Sequence, residues 1–221
     1  MSDDQSLRAA VVAELEWEPS VDAAHIGVSA KNGVVTLSGF VDSYPAKAAA
    51  ERAARRVRGV RAIAEEIEVR LPNDQKHADD EIAGRALQIF AWDVEVPHER
   101  IRVKVEHGMV TLEGSVAYQF QRAAAEADIR RLGGVRGVVN LIRVAESADR
   151  RPDPDVIREK IERALGRNAE LEAGRLAVDV EGGRATLRGS VETWWERDLA
   201  EGAAWAAPGV SQVRNEIDVR P

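Results

Sequence analysis

Residues 32–41 read NGVVTLSGFV, residues 107–116 read HGMVTLEGSV, and residues 182–191 read GGRATLRGSV. The three stretches share one pattern: a turn glycine, a Thr-Leu pair, a second glycine and a closing valine. Asn32-Gly33 is the strongest short hairpin signal, because a tight turn of this kind needs positive φ at both central residues. His107-Gly108 and Gly182-Gly183 occupy the same place. In the strand that follows, Val35, Leu37, Gly39 and Val41 fall on one face, and Val34, Thr36, Ser38 and Phe40 on the other. The second and third stretches carry Glu113 and Arg188 where the first has Ser38. That second face is therefore predicted to be wet. The glycine repeated on the inward face reads as a point where a helix backbone approaches the sheet.

Working outward, the repetition holds at a constant spacing of 75 residues. Gly59, Gly134 and Gly209 correspond, as do Val60, Val135 and Val210, then Val69, Val144 and Val219. The one charged residue identical in all three copies is Glu51/Glu126/Glu201. A carboxylate on a helix surface is ordinarily solvated or paired. Each copy opens with apolar residues four apart: Leu7, Val11 and Leu15; Ile82, Ala86 and Phe90; Ile157, Ile161 and Leu165. That spacing predicts a helix, with Asp4, Asp79 and Asp153 as N-caps. An alternating stretch follows, carrying Ile26 and Val28, Ile101 and Val103, or Leu176 and Val178. After the quoted hairpin come an alanine-rich helix, a glycine that ends it, and a last strand. The predicted fold is α+β: three tandem αββαβ modules, each a three-stranded mixed sheet with two helices on one face. The modules are placed at 1–72, 77–147 and 153–221, with PNDQK (72–76) and SADRRPDP (147–154) as polar linkers.

Composition bounds the function. The chain has 221 residues and a net charge of −7, which argues against nucleic-acid coating. It has no cysteine, so thiolate catalysis and cysteine-held metals are excluded. The acidic opening MSDDQSLRAA lacks the basic start and apolar run of a secretory signal, and no apolar run of about 18 residues is present. A cytoplasmic protein without a transmembrane segment, peripheral to a membrane at most, is expected. The four histidines, His25, His77, His98 and His107, show no metal-ligand spacing. The glycine turns join strand to strand, not strand to helix, so they are not phosphate cradles. No catalytic residue, cofactor or metal site is expected, and the chain is read as a non-enzyme.

The pattern G-x-V-T-L-x-G-x-V, the alanine-rich helix, and a Gly-Val before a short I/V strand resemble the BON domain. Copies 1 and 2 fit best, and copy 3 departs at Arg184, Ala185 and Pro208. The resemblance implies non-enzymatic αββαβ modules associated with phospholipid surfaces, envelope stress and osmotic response, with potassium binding in some cytoplasmic members.

Two surface features carry the binding expectation. Arg52, Arg55 and Arg56 form a basic helix in copy 1, echoed by Arg130 and Arg131 in copy 2. They suit anionic headgroups, or an acidic sister domain, for which Glu14, Glu16 and Glu18 are available. Trp194 and Trp195 are adjacent on a predicted helix. They cannot both point inward, so one is exposed or covered by another domain. Trp17 and Trp92 read as core caps. Three readings stay open: recognition of an anionic phospholipid surface or a partner protein; a potassium or osmotic sensor holding K+ through backbone oxygens; and self-association through the uncovered sheet faces.

Overall fold

The computed structural model describes residues 3–72, 77–145, 153–168, 171 and 173–220. The linker residues 73–76 and 147–152 lie outside the described residues. The first module runs α1 (Asp3–Trp17), β1 (Ile26–Lys31), β2 (Val34–Val41), α2 (Tyr44–Arg56) and β3 (Ala62–Val69). The second runs α3 (Asp79–Trp92), β4 (Ile101–Glu106), β5 (Met109–Val116), α4 (Gln119–Arg130) and β6 (Gly137–Val144). The third runs α5 (Pro154–Gly166), β7 (Leu176–Glu181), β8 (Arg184–Val191), α6 (Trp194–Trp205) and β9 (Gln212–Val219). A 3-10 turn precedes the first strand of each.

The quoted stretch is the middle strand of every sheet. The orders are β1-β2-β3, β4-β5-β6 and β7-β8-β9. The first pair is antiparallel through the tight turn, and the second is parallel. A parallel return requires a crossover, which the alanine-rich helix supplies. Asn32 and His107 adopt φ +53°, and Gly33 and Gly108 φ +78°, the geometry expected for the turn.

The inward glycine has a different cause from the one expected. Gly39, Gly114 and Gly189 have φ of +112°, +146° and +132°. A Cβ on each would lie 2.1 Å from the carbonyl oxygen of His25, Arg100 or Arg175. The crowding atom belongs to the turn leading into the neighbouring strand, not to a helix. Glycine is required twice over, by backbone conformation and by that close approach.

Each module buries its own core between helices and sheet. Val11, Leu15, Val35, Leu37, Ala50 and Ala54 are buried in the first. Ile82, Phe90, Val110, Leu112 and Ile129 do the same in the second, and Ile157, Ile161, Leu187 and Ala204 in the third. Burying a side chain of the larger aliphatic type contributes about 1.5–3 kcal/mol.

Of the three expected N-caps, only Asp153 is one; it accepts from the amide of Asp155 at 2.9 Å. Asp4 and Asp79 lie inside their helices and reach across to the hairpin. Asp79 accepts from His107 N at 2.7 Å and Gly108 N at 2.9 Å. Asp4 accepts from Gly33 N at 3.3 Å. The tight turn leaves these amides free of strand partners, and a carboxylate one helix away satisfies them.

Candidate functional site

The second helices carry most of the predicted binding residues, and of these the structure brings together Arg55 and Trp194. Arg55 donates to Glu51 at 2.7 Å and to Asp198 of the third module at 3.0 Å. Its guanidinium also lies 5.9 Å from the Trp194 ring centre. Arg56 bridges Glu14 at 2.7 Å and Glu18 at 3.3 Å, within its own module. Those two carboxylates hold its pKa above the ordinary arginine value. Arg58 pairs with Glu192 of the third module, and Arg130 pairs with Glu126. Arg52 and Arg131 are exposed. The basic character visible in the sequence is thus largely spent on internal pairs.

Trp194 packs against the core of the first module, with Arg197 5.1 Å from its ring centre. Trp195 is half-buried. Trp194 is therefore the member of the adjacent pair that another module takes up. Tyr44 of the first module behaves likewise, packing against the core of the second. Tyr44, Gln119 and Trp194 are the first residues of α2, α4 and α6. Gln119 in turn lines a cleft shared with α6 of the third module. Each of the three second helices thus opens beside another module, seated on its core at Tyr44 and Trp194 and facing an open cleft at Gln119.

The shared glutamate is a structural anchor. Glu51 holds Arg55. Glu126 accepts from Asn140 Nδ2 at 3.0 Å, and Glu201 accepts from Asn215 Nδ2 at 3.0 Å. Each of these two asparagine bonds ties a second helix to the last strand.

Trp17 and Trp92 correct the expectation of core caps: they are 83% and 86% exposed. Each is the last helical residue, two positions after buried Leu15 or Phe90, so it projects from the opposite side of the helix. Leu87 and Val94 are also exposed near Trp92 in sequence. Glu16 and Glu18 flank Trp17, and Asp93 and Glu95 follow Trp92. The two exposed indoles thus stand among carboxylates, whereas the arginines meet an aromatic ring at Trp194.

His25 contacts Asp22 at 3.2 Å, and His77 contacts Glu81 at 2.9 Å and Arg85 at 3.4 Å. Among the described residues no group of three His, Asp or Glu side chains is arranged to hold a metal ion. None of the described helices is long and apolar enough to cross a membrane.

Two features escaped the sequence reading. Asp128 in α4 is only 8% exposed. Burial, reinforced by the neighbouring Asp93, pushes its pKa up to about 6. Its sister positions hold Ala53 and Ala203, and that polar exception was the available signal. The other is the cleft at Gln119, signalled by an amide where the sister copies carry aromatics.

The sequence profile of the BON domain matches residues 3–70, 78–146 and 153–221. The osmotically-inducible protein Y of Escherichia coli (strain K12) is 31% identical over 143 residues, covering 62% of this chain and 71% of that protein. Among solved structures, the C-terminal domain of CdsD, the structural protein of the type III secretion system of Chlamydia trachomatis, is 13% identical. It covers 100% of this chain and 99% of that one, with a TM-score of 0.26. A likeness at that score carries no argument. With three matches spanning nearly its whole length, each an αββαβ unit, the chain belongs to the BON domain family.

Proposed function

We propose that the chain is a non-enzymatic binding protein of the osmotic or stress response, and that it docks a partner protein on Trp17 and Trp92. The observation that carries this reading is the pair of indoles, 83% and 86% exposed at equivalent positions of two modules. Large aromatic side chains held in water contribute strongly when a partner covers them. The carboxylates beside them select a partner with an apolar pocket rimmed by lysine or arginine. The similarity to osmotically-inducible protein Y supports the osmotic setting. The repeated residues support a non-catalytic role, since they serve turns, cores and the helix-to-strand anchor.

A second reading, an anionic phospholipid surface, draws on Arg52 and Arg131. Both are exposed, and among the described residues neither has an ion-pair partner. Placing a photo-crosslinking residue at 17 or 92 in cells grown at high osmolarity tests the first reading. A discrete protein adduct at both positions is expected. No adduct, together with flotation on anionic vesicles that is lost in Arg52→Glu/Arg131→Glu, overturns it in favour of lipid.

A further inference from the structure

The exposed indoles Trp17 and Trp92 end α1 and α3, and each is followed at once by a carboxylate, Glu18 or Asp93. What those carboxylates meet differs. Glu18 faces Arg56 of the first module at 3.3 Å, an ion pair that holds the end of α1 to the second helix. Asp93 faces Asp128 of α4, as its hydrogen-bonding neighbour. Arg131, the equivalent of Arg56, is exposed, and the equivalents of Asp128 are Ala53 and Ala203. The third module has Asn168, Ala203 and Ala206 at these places, none of them charged. The second module alone sets two carboxyl groups against each other at this seam.

Asp128 is buried, and its Oδ2 has no donor to meet it among the described residues. A buried carboxylate oxygen left so is costly, whereas a carboxylic acid needs only an acceptor. Asp93 is that acceptor. Its Oδ1 already accepts from Glu95 N at 2.7 Å. Asp93 also caps the C-terminal end of α3, where the helix carbonyls disfavour further negative charge. The other charged groups facing Asp128 are Glu95, which opposes its ionisation, and Arg131 at the end of α4, which favours it. Two carboxyl groups so placed share one proton before both ionise.

We propose that Asp93 and Asp128 form a proton-operated clasp beneath the Trp92 surface. With one proton shared, the pair ties the segment after α3 to α4; with both groups ionised, it lets that segment go. Trp92 and Val94 ride on the segment and are 86% and 100% exposed, so few other contacts hold them. A partner meets a fixed surface at Trp92 in acid and a looser one above the transition. Trp17, tied by Glu18 and Arg56, is presented alike in both. The clasp rests on the docking reading for its use alone, since it operates whether or not a partner binds.

Fluorine NMR of the full chain labelled with 5-fluorotryptophan tests it between about pH 4.5 and 8, with Trp92→Phe and Trp17→Phe assigning the two resonances. The Trp92 resonance should shift along a titration centred at about pH 6, and the Trp17 resonance should stay in place. Asp128→Asn keeps a donor toward Asp93 at every pH and should hold Trp92 at its acid position. Asp128→Ala, which installs the residue of the sister modules, should hold it at the alkaline position. His98→Gln removes the histidine nearest to Asp93 in sequence and should leave the titration unchanged. A Trp92 resonance that does not move, or a titration that survives Asp128→Asn or vanishes in His98→Gln, overturns the clasp. An intact titration without a crosslinked adduct at residue 92 supports the clasp and overturns the docking reading alone.

Discussion

Arg55 of α2 donates to Asp198 of α6 at 3.0 Å, joining residues 143 positions apart. The same side chain lies against Trp194, which sits on the core of the first module. Removing the indole should uncouple the third module from the first. Trp194→Ala is expected to cost about 3 kcal/mol and to split a single thermal transition into two by calorimetry. Arg55→Met, at a partly exposed pair, should cost about 1 kcal/mol and leave one transition.

Gly39, Gly114 and Gly189 leave no space for a side chain, since a Cβ would meet a carbonyl oxygen at 2.1 Å. Alanine at any of them should cost about 3 kcal/mol or more, read from urea unfolding of purified protein. Gly84 in α3 is the contrasting case, with nothing within 4 Å of a methyl placed on its Cα. Gly84→Ala should add about 1 kcal/mol through helix propensity.

The Asp79 carboxylate is held below its ordinary pKa by the Gly108 and His107 amides. A depressed folded-state pKa adds stability above the unfolded value and loses it as pH falls through the folded one. Asp79→Ala should therefore lower the melting temperature at neutral pH, and the difference should close in acid. The drop should exceed that of Asp4→Ala, whose single contact is longer at 3.3 Å.

Asp128 works in the opposite sense. Its folded pKa of about 6 lies above the ordinary carboxylate value, so the folded protein keeps a proton that the unfolded chain releases. The resulting stability is present in acid and lost as pH rises from about 4 through about 6. Asp128→Asn should therefore stabilise by about 2 kcal/mol near pH 8, with the gain vanishing near pH 4. Paired melting curves at the two pH values measure this directly.

The residues that build each module were legible because their causes are local. Positive φ at Asn32-Gly33, four-residue spacing in Ile157, Ile161 and Leu165, and alternation along Val35 and Leu37 each follow from one element's geometry. The errors arose where a residue answers to a distant element. Gly39 responds to a carbonyl in the turn before β1, and Asp79 to a hairpin 28 residues away. Trp17 and Trp92 differ from the core-cap expectation because each stands two residues beyond buried Leu15 or Phe90, on the far side of its helix. The binding arginines show the same limit. A run of cations is visible in sequence, whereas Glu14, Glu18 and Asp198 become their neighbours only once the chain is folded.

A contact that runs from the head of one unit's second helix to the core of another has a direction, as at Tyr44 and Trp194. A polypeptide with two such units presents one unmatched donor end and one unmatched acceptor end, and it is driven to recruit another. A single unit that keeps the aromatic at the head of its second helix is therefore expected to seek the core of another unit head to tail.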